Sequence, residues 1–153
     1  AANARSKALH YAAATDQLAV ADDSGLEIDG LNGEPGVQSA RFNGNSYPDK
    51  FRAVYARLAA AGRLGCRARF VCALAVVRGS EILFETRGTV EGRIAEAPSG
   101  TAGFGYDPIF LYPPYGKTLA DVSSKEKAAV SHRGQAVRAL RTYLTSGAAL
   151  RGT

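Results

Sequence analysis

Residues 67–77 read RARFVCALAVV, and this stretch decides the fold. From Phe70 onward every side chain in it is apolar, with no alternation between apolar and polar positions. A strand of this kind is typically buried on both faces, as the central strand of a helix-covered sheet is. Arg78-Gly79-Ser80 predicts a tight turn into a partner strand over residues 81–93. The stretch therefore predicts a central strand paired in a hairpin.

Three segments outside this hairpin have the apolar spacing of helices. They are residues 1–14 with Ala4, Ala8, Tyr11 and Ala12, residues 48–61 with Phe51, Val54, Tyr55 and Leu58, and a final helix capped by Ser131 with Val137, Leu140 and Leu144. The remaining predictions are a strand over 17–22, an extended piece over 26–29, a loop over 30–47, an extended piece over 108–112 and short helical turns within 117–127. Hairpin-like and crossover-like connections both occur, so we predict an α/β fold with a mixed sheet.

Composition favours one compact domain. The chain has 153 residues, of which 46% are hydrophobic and 22% charged, which suits a folded core and argues against disorder. No apolar run approaches the ~20 residues of a membrane span, so no membrane partner is expected. The two cysteines, Cys66 and Cys72, lack the spacing partners of a zinc site. Reduced thiols in a cytoplasmic protein are the simplest interpretation.

The chain is basic, with a formal net charge of +5. A basic balance suits an anionic partner, either a nucleotide or a nucleic acid. Because Lys and Arg form no dense run, the nucleotide is favoured and a nucleic-acid partner is not expected.

Asp22-Asp23-Ser24-Gly25 follows the apolar residues 18–21. Ligands of α/β proteins gather at the carboxyl ends of strands, and a carboxylate there can hold Mg²⁺. Adjacent residues of an extended segment point to opposite sides, so only one of the two aspartates is expected to face a site. Ser24-Gly25 is predicted to turn the backbone sharply. A turn whose side chains bond to their own backbone is the alternative interpretation.

Gly103-Phe104-Gly105-Tyr106 ends a glycine-rich loop predicted over residues 95–106, and Asp107 follows it directly. Glycines let a backbone approach a ligand closely, and aromatic faces stack on nucleobases. Asp107 can accept a hydrogen bond from a base N–H. The alternative is a loop that its aromatic side chains pin to the core.

His132 and Arg133 follow the predicted cap Ser131, in the first turn of the last helix. Cations are disfavoured there because the amino end of a helix already carries partial positive charge. A nearby anion or carbonyl oxygen would remove the conflict, and the Arg133 guanidinium also suits a planar base edge. Two solvated side chains are the alternative.

Together these segments resemble the inosine/xanthosine triphosphate pyrophosphatases, from Asn3 to about Leu144. Four motifs occur in the order found in that family: Ala21-Asp-Asp-Ser-Gly-Leu, Pro35-Gly-Val with Ser39-Ala-Arg, Gly103-Phe-Gly-Tyr-Asp-Pro and Ser131-His-Arg-Gly-Gln-Ala. The resemblance implies an elongated mixed sheet flanked by helices, with two lobes and a central nucleotide cleft. It also implies Mg²⁺-dependent hydrolysis of ITP, dITP or XTP to monophosphate and pyrophosphate, by a homodimer.

The resemblance further implies roles for single residues. Asp23 matches the metal ligand and general base, and Lys7 matches a catalytic basic residue near the phosphates. Substrate binding is implied for Ser24, Phe104, Gly105, Tyr106, Asp107, Lys127, His132 and Arg133. For base selection, Arg133 can donate to O6 of a 6-oxopurine and Asp107 can accept from N1–H. Adenine reverses both groups, which would leave buried partners unpaired.

One departure from the family pattern stands out. Family members open with a strand, a Ser/Thr-x-Asn-x-x-Lys phosphate loop and a first helix, and they bring an acidic metal ligand before the helix that starts here. None of these is found in the 153 residues, and the chain has no methionine. We therefore expect an N-terminally truncated pyrophosphatase domain that is weakly active or inactive as it stands.

Two other functions fit parts of the pattern. One is a Maf-like pyrophosphatase for modified pyrimidine or methylated nucleotides, which turnover of 5-methyl-UTP against ITP would distinguish. The other is a nucleotide- or nucleic-acid-binding module without catalysis, which a steep salt dependence of affinity for long RNA or DNA would favour.

Overall fold

The computed structural model describes residues 2–15, 17–36, 38–39, 42 and 46–147. The helices are α1 Ala2–Thr15, α2 Tyr47–Ala60, α3 Ser124–Val130 and α4 His132–Thr145. The strands are β1 Leu18–Ile28, β2 Pro35–Gly36, β3 Arg67–Arg78, β4 Glu81–Ile94, β5 Phe110–Tyr112 and β6 Lys117–Thr118. Short 3₁₀ turns cover Asp29–Leu31, Asp107–Ile109 and Pro113–Tyr115. Within the described residues, no helix is long and apolar enough to span a membrane.

The strands form one six-stranded sheet in the order β2-β1-β3-β4-β5-β6. The pairs β1–β2, β4–β5 and β5–β6 are antiparallel. The prediction of an α/β fold built on one sheet is therefore confirmed, and β3 lies inside the sheet as its apolar run predicts. The described chain also divides into two compact units.

Unit 1 consists of the described residues up to Ser24, Val71–Thr89, and those from Ser131 onward. Its half of β3 explains the unbroken apolar run, because alternate residues enter two different clusters. One cluster contains Ala73, Ala75 and Val77 with Ala4, Ala8 and Ala12 of α1. The other contains Cys72, Leu74 and Val76 with Ala136 of α4. A strand covered by helices on both faces has no polar side to present.

Unit 2 consists of the described residues within Gly25–Phe70 and of Val90–Val130. Its core gathers one face of α2 and the inner residues of the strands around it. The buried members include Phe51, Val54 and Leu58 from the predicted helix face, together with Leu26, Ile28, Ile94, Ile109 and Phe110. Ser46 caps α2 through its hydroxyl, which accepts a hydrogen bond from the Asp49 N–H at 3.3 Å, and Pro48 lies in the first turn.

Strand β1 corrects the prediction of a turn at Ser24-Gly25. The strand is continuous from Leu18 to Ile28, so the two aspartates lie inside it and not at its end. Gly25 makes this possible, because a Cβ at that position would lie 2.2 Å from the carbonyl oxygen of Gly36. A glycine there allows β2 to pair closely with β1, at Leu26 opposite Gly36.

The apolar face predicted for the last helix is also wrong in part. Val137 and Leu144 are 50% and 42% exposed. The cluster on this side of β3 instead takes in Ala136, Leu140 and Tyr143, which have the spacing i, i+4, i+7. Tyr11 on α1 is likewise exposed, whereas its neighbours Ala8 and Ala12 are buried. In both helices buried alanines share a cluster with β3, whereas Tyr11, Val137 and Leu144 remain exposed.

Two shorter predictions also change. Residues 107–109 form a 3₁₀ turn, so the extended piece predicted over 108–112 shortens to β5. Residues 117–118 form β6, and the helical turns predicted over 117–127 become α3, which begins at Ser124. The loop predicted over 30–47 contains β2 and a 3₁₀ turn, and its residues 37, 40, 41 and 43–45 lie outside the described residues.

Candidate active site

The carboxylate of Asp23 faces the ammonium group of Lys7. Lys7 lies on α1, and its Nζ is 3.5 Å from Asp23 Oδ1 and 3.4 Å from the carbonyl oxygen of Asp22. The Asp23 side chain is 15% exposed and that of Lys7 is 53% exposed. Helix α1 therefore brings one cation to the strand that carries the predicted metal ligand.

Ser24 adds an unsatisfied hydroxyl next to this pair. Its Oγ is buried and has no hydrogen-bond partner among the described residues. A buried hydroxyl left unpaired costs free energy, so such groups in folded proteins usually meet a ligand, an ion or water. The Asp23–Ser24 step thus offers a carboxylate and an unused hydroxyl side by side.

Asp22 points to a different partner, as the alternation along a strand requires. Its Oδ2 lies 3.3 Å from Nη2 of Arg133, and both side chains are about half exposed, at 48% and 52%. The carboxylate supplies the anion that the cationic first turn of α4 needs. Asp22 therefore contacts a predicted site residue and does not simply face away from the site.

An open groove runs beside this ion pair in unit 1. Its volume is about 400 Å³, and it is lined by Val20, Asp22, Cys72, Leu74, Arg133, Val137 and Leu140. The wall is apolar except for the Asp22–Arg133 pair. The groove explains why Val20 and Val137 are about half exposed despite being apolar.

The start of α4 is fixed by its cap. The Ser131 hydroxyl accepts a hydrogen bond from the Gly134 N–H at 2.9 Å, as the sequence predicts. His132 is buried, with 8% of its surface exposed, whereas Arg133 is exposed. The two adjacent side chains therefore have different surroundings.

In unit 2, the side chain of Asp107 folds back on the segment Gly103-Phe104-Gly105-Tyr106-Asp107, which the sequence predicts to contact the base. One of its oxygens, Oδ2, accepts the Phe104 N–H at 3.0 Å and also bonds to the Lys127 ammonium group. A Cβ at Gly103 would lie 2.2 Å from this oxygen, and φ is +72° there, so the turn requires glycine. The Asp107 side chain is 5% exposed. Its role as an acceptor for a base N–H stays a prediction, since Oδ2 already has two partners.

The two aromatic rings of this loop have different environments. Phe104 is 65% exposed, and Lys127 Nζ lies 4.1 Å from its ring centroid. Tyr106 is 4% exposed, and its hydroxyl donates to the Ser39 carbonyl at 2.7 Å. Burial, with a smaller contribution from Tyr47, raises the pKa of Tyr106 well above its usual range. Phe104 is thus the exposed ring, and Tyr106 pins the loop to the core.

The predicted residues therefore fall into two sets. Unit 1 holds Lys7, Asp23, Ser24, His132 and Arg133, and unit 2 holds Phe104, Gly105, Tyr106, Asp107 and Lys127. The sequence did not reveal the Asp22–Arg133 and Asp107–Lys127 pairs, because each joins residues far apart in the chain. Val37, Ala40 and Arg41, from the second motif, lie outside the described residues.

The described residues contain no group of three or more His, Cys, Asp or Glu side chains placed to hold a metal ion. Asp23 is a suitable oxygen donor for a hard cation, and the neighbouring Ser24 hydroxyl is a second oxygen. A divalent cation is therefore compatible with this strand as a partly coordinated ion that takes further oxygens from a ligand.

Comparison with known proteins places the chain in a family. The model of the Ham1 family matches residues 1–143. A dITP/XTP pyrophosphatase of Exiguobacterium sp. (strain AT1b) is 47% identical over 138 residues, which cover 90% of this chain and 70% of the relative. One from Thermus thermophilus is 48% identical over 140 residues, covering 90% of this chain and 67% of the relative. This chain belongs to the Ham1 family.

Solved structures agree with this assignment. A HAM1 protein from Coxiella burnetii superposes with a TM-score of 0.89 at 42% identity, covering 94% of this chain and 75% of that one. The Ham1 protein of Staphylococcus aureus gives a TM-score of 0.87 at 39% identity, with the same coverage. The order of elements found here is therefore the fold of the family.

Proposed function

We propose that this chain hydrolyses non-standard purine nucleoside triphosphates, namely ITP, dITP and XTP, to the monophosphate and pyrophosphate. Its membership of a family whose similar relatives are named dITP/XTP pyrophosphatase supports this function. The observation that carries the chemistry is the Asp23 carboxylate, little exposed and next to Lys7 and the unpaired Ser24 hydroxyl.

The proposed reaction is an in-line attack of water on the α-phosphorus. A new bond forms between the water oxygen and Pα while the bond from Pα to the α–β bridging oxygen breaks, and pyrophosphate leaves with that oxygen. We assign Asp23 as the group that accepts the proton that the water loses. Lys7 donates to Asp23 and to the Asp22 carbonyl, and its ammonium group is suited to hold phosphate oxygens.

Mg²⁺ is the metal that we propose for this reaction, with Asp23 as a protein ligand and triphosphate oxygens as others. When bound, the ion supplies neutralisation of charge on the phosphates. Ser24 fits as a hydrogen-bond donor to a phosphate oxygen, because its hydroxyl has no other partner among the described residues. These assignments use oxygen donors that the strand already presents.

Two roles in base recognition are proposed, one for a residue of each unit taken by itself. Phe104 offers an exposed aromatic face for stacking, with the Lys127 ammonium group near its ring. Arg133 can donate to O6 of a 6-oxopurine, and its present partner Asp22 holds it only through an exposed ion pair. Adenine presents an amino group instead of O6, so the same donor would oppose it.

A homodimer is also proposed, as the resemblance to pyrophosphatases implies, and a cytoplasmic location is proposed from the two free cysteines. Light scattering coupled to size-exclusion chromatography measures the first, and a mass of one chain would contradict it. We propose no nucleic-acid partner, and an absence of salt-dependent binding to long RNA is the expected result.

Product analysis tests the function. The purified chain is incubated with Mg²⁺ and ITP, dITP, XTP or ATP, and the products are separated by ion-exchange chromatography. We expect slow release of IMP, dIMP or XMP with pyrophosphate, in line with the weak activity expected from the sequence, and much less product from ATP. Release of inorganic phosphate as the primary product, equal rates on ATP, or a preference for 5-methyl-UTP would contradict the proposal. Asp23→Asn is the matched inactive control.

A further inference from the structure

The first turn of α4 packs directly against the backbone of strand β4. A Cβ added to Gly88 of β4 would lie 2.1 Å from the His132 carbonyl oxygen and 3.0 Å from Cβ of Gln135. Real Cβ atoms essentially never approach backbone so closely, so any side chain at residue 88 must push the helix or the strand away. Gly88 therefore sets how close the Ser131–Gln135 turn comes to the sheet.

Gln135 fastens the same turn to the neighbouring residue of the strand. Its Nε2 donates to the Thr89 carbonyl at 2.9 Å, and its Oε1 accepts the Thr89 N–H at 3.4 Å. A side-chain amide has one donor side and one acceptor side, as a peptide group does. Thr89 lies beyond the residues of β4 that pair with β5, which are Arg93 and Ile94. Gln135 thus serves as the hydrogen-bonding partner that a strand would otherwise provide there.

We propose that Gly88 and Gln135 are positioning residues, which fix the first turn of α4 and thereby set where His132 and Arg133 meet the substrate. Both substrate-binding candidates lie between the cap Ser131 and the anchor Gln135, so they cannot shift unless this turn shifts. The inference rests on the proposed function, because it concerns how that function's binding residues are held. Neither residue touches substrate in this assignment.

Gly92 provides a matched control on the same strand. A Cβ there would lie 2.4 Å from the Leu111 carbonyl oxygen and 2.7 Å from the Phe110 ring, in unit 2. Gly92→Ala therefore introduces the same kind of backbone clash as Gly88→Ala, but against β5 instead of α4. Both variants are expected to lose stability, and only Gly88→Ala displaces the turn that carries Arg133.

The experiment compares the wild-type 153-residue chain with Gln135→Leu, Gln135→Glu, Gly88→Ala and Gly92→Ala. Calorimetric titration with inosine 5′-monophosphate and Mg²⁺ gives the dissociation constant and the binding stoichiometry separately. Amide hydrogen exchange reports residues 133–136, with residues 138–144 of the same helix as an internal reference. Exchange does not depend on ligand, so it tests the anchor even if the proposed function fails.

We expect Gln135→Leu and Gly88→Ala to weaken binding about tenfold, because small displacements of binding groups have large effects. Exchange at residues 133–136 should rise about fivefold, the factor that one hydrogen bond is worth. Gln135→Glu keeps the acceptor and loses the donor, so it should give an intermediate result. Gly92→Ala should lower the stoichiometry, through unfolded protein, and leave the dissociation constant unchanged.

Several results would overturn the inference. Wild-type exchange and affinity in Gln135→Leu would show that the amide anchors nothing. An equal loss of affinity in Gly92→Ala and Gly88→Ala would reduce the effect to general destabilisation. If the wild-type chain released inorganic phosphate instead of pyrophosphate from ITP, the proposed function would fall, whereas unchanged exchange in Gln135→Leu defeats the anchor independently.

Discussion

The two sets of candidate site residues differ in how far their ion pairs are exposed to solvent. In unit 2, Asp107 and Lys127 form an ion pair whose side chains are only 5% and 18% exposed. In unit 1, Asp22 and Arg133 are each about half exposed and are 3.3 Å apart. The Asp107–Lys127 pair is therefore largely shielded from solvent, whereas the Asp22–Arg133 pair lines an open groove.

This difference distinguishes the residues of unit 2, whose arrangement is fixed before substrate binds, from those of unit 1, whose ion pairs can exchange for contacts with a ligand. A buried pair is costly to break, because the remaining charge has lost its water and its partner. An exposed pair contributes about 0–1 kcal/mol and exchanges easily with other ions. We infer that the Phe104 loop keeps its shape without substrate, whereas Arg133 and Lys7 can leave their carboxylates for phosphate or carbonyl oxygens. The following variants test that contrast.

The largest effect is expected at Asp23. Asp23→Asn should lower turnover about 10³-fold, because the amide is a poor base and a poor metal ligand. Stability should change by less than about 1 kcal/mol, since its partner Lys7 is half exposed. Pyrophosphate release and urea denaturation measure the two quantities. Asp22→Asn is the matched control and should lose much less turnover. Equal losses in the two variants would show that the carboxylates share one role.

A large loss of stability is expected from breaking the buried pair. Lys127→Met should lower the free energy of unfolding by about 3 kcal/mol, because it leaves the Asp107 carboxylate buried with the Phe104 N–H. Lys125→Met, on the exposed side of the same helix α3, is the control. Asp22→Asn, which breaks the exposed pair, should cost less than about 1 kcal/mol. If Lys127→Met costs no more than Asp22→Asn, the contrast between the two sets is wrong.

The sequence predicted the central strand correctly because β3 is buried on both faces, and such a strand has an unmistakable composition. It predicted the cap at Ser131 because a cap is a local interaction between residues three apart. It failed at Ser24-Gly25, where a glycine usually marks a turn. Here the glycine makes room for the Gly36 carbonyl oxygen of a paired strand, and that neighbour cannot be read from the residues around it.

The candidate site shows the same limit. The sequence indicated Asp23, Phe104, Lys127 and Arg133 as candidate site residues. It did not indicate which side chains they contact. Pairing of Lys127 with Asp107, and of Arg133 with Asp22, depends on how distant segments pack. The aromatic pair in the loop is a further example, because nothing in Phe104-Gly105-Tyr106 says which ring is buried. Core packing against Tyr47 and Phe51 decides that it is Tyr106.

A smaller effect is expected on base selection. Arg133→Ala should lower the ratio of kcat/KM for ITP to that for ATP about tenfold, since it removes the donor assigned to O6. Stability should hardly change, because the pair with Asp22 is exposed. Arg138→Ala, exposed one turn further along α4, is the control and should keep the ratio. Lower rates with an unchanged ratio would place Arg133 on a phosphate instead of the base.

The smallest effect concerns the anchor of the preformed loop. Tyr106 has its pKa raised by burial above the ordinary value of 10.0, so the folded state keeps this proton longer than the unfolded state. Its stabilising contribution is therefore complete below about pH 10 and is lost as the pH rises toward the folded-state pKa. One tyrosine can add at most about 1.4 kcal/mol per pH unit to this loss. Tyr106→Phe should lose about 1 kcal/mol at pH 7, through the missing hydrogen bond to Ser39, and should then fall less steeply than wild type above pH 10.

Urea denaturation between pH 8 and pH 11 measures that slope, and Tyr11→Phe, at an exposed position on α1, is the control. The other titratable groups are common to wild type and Tyr106→Phe, so their contributions cancel in the comparison. Parallel curves for wild type and Tyr106→Phe would mean that the Tyr106 hydroxyl ionises as easily in the folded chain as in the unfolded one. In that case the loop is not held by a buried phenol, and its rigidity would have to come from the Asp107–Lys127 pair alone.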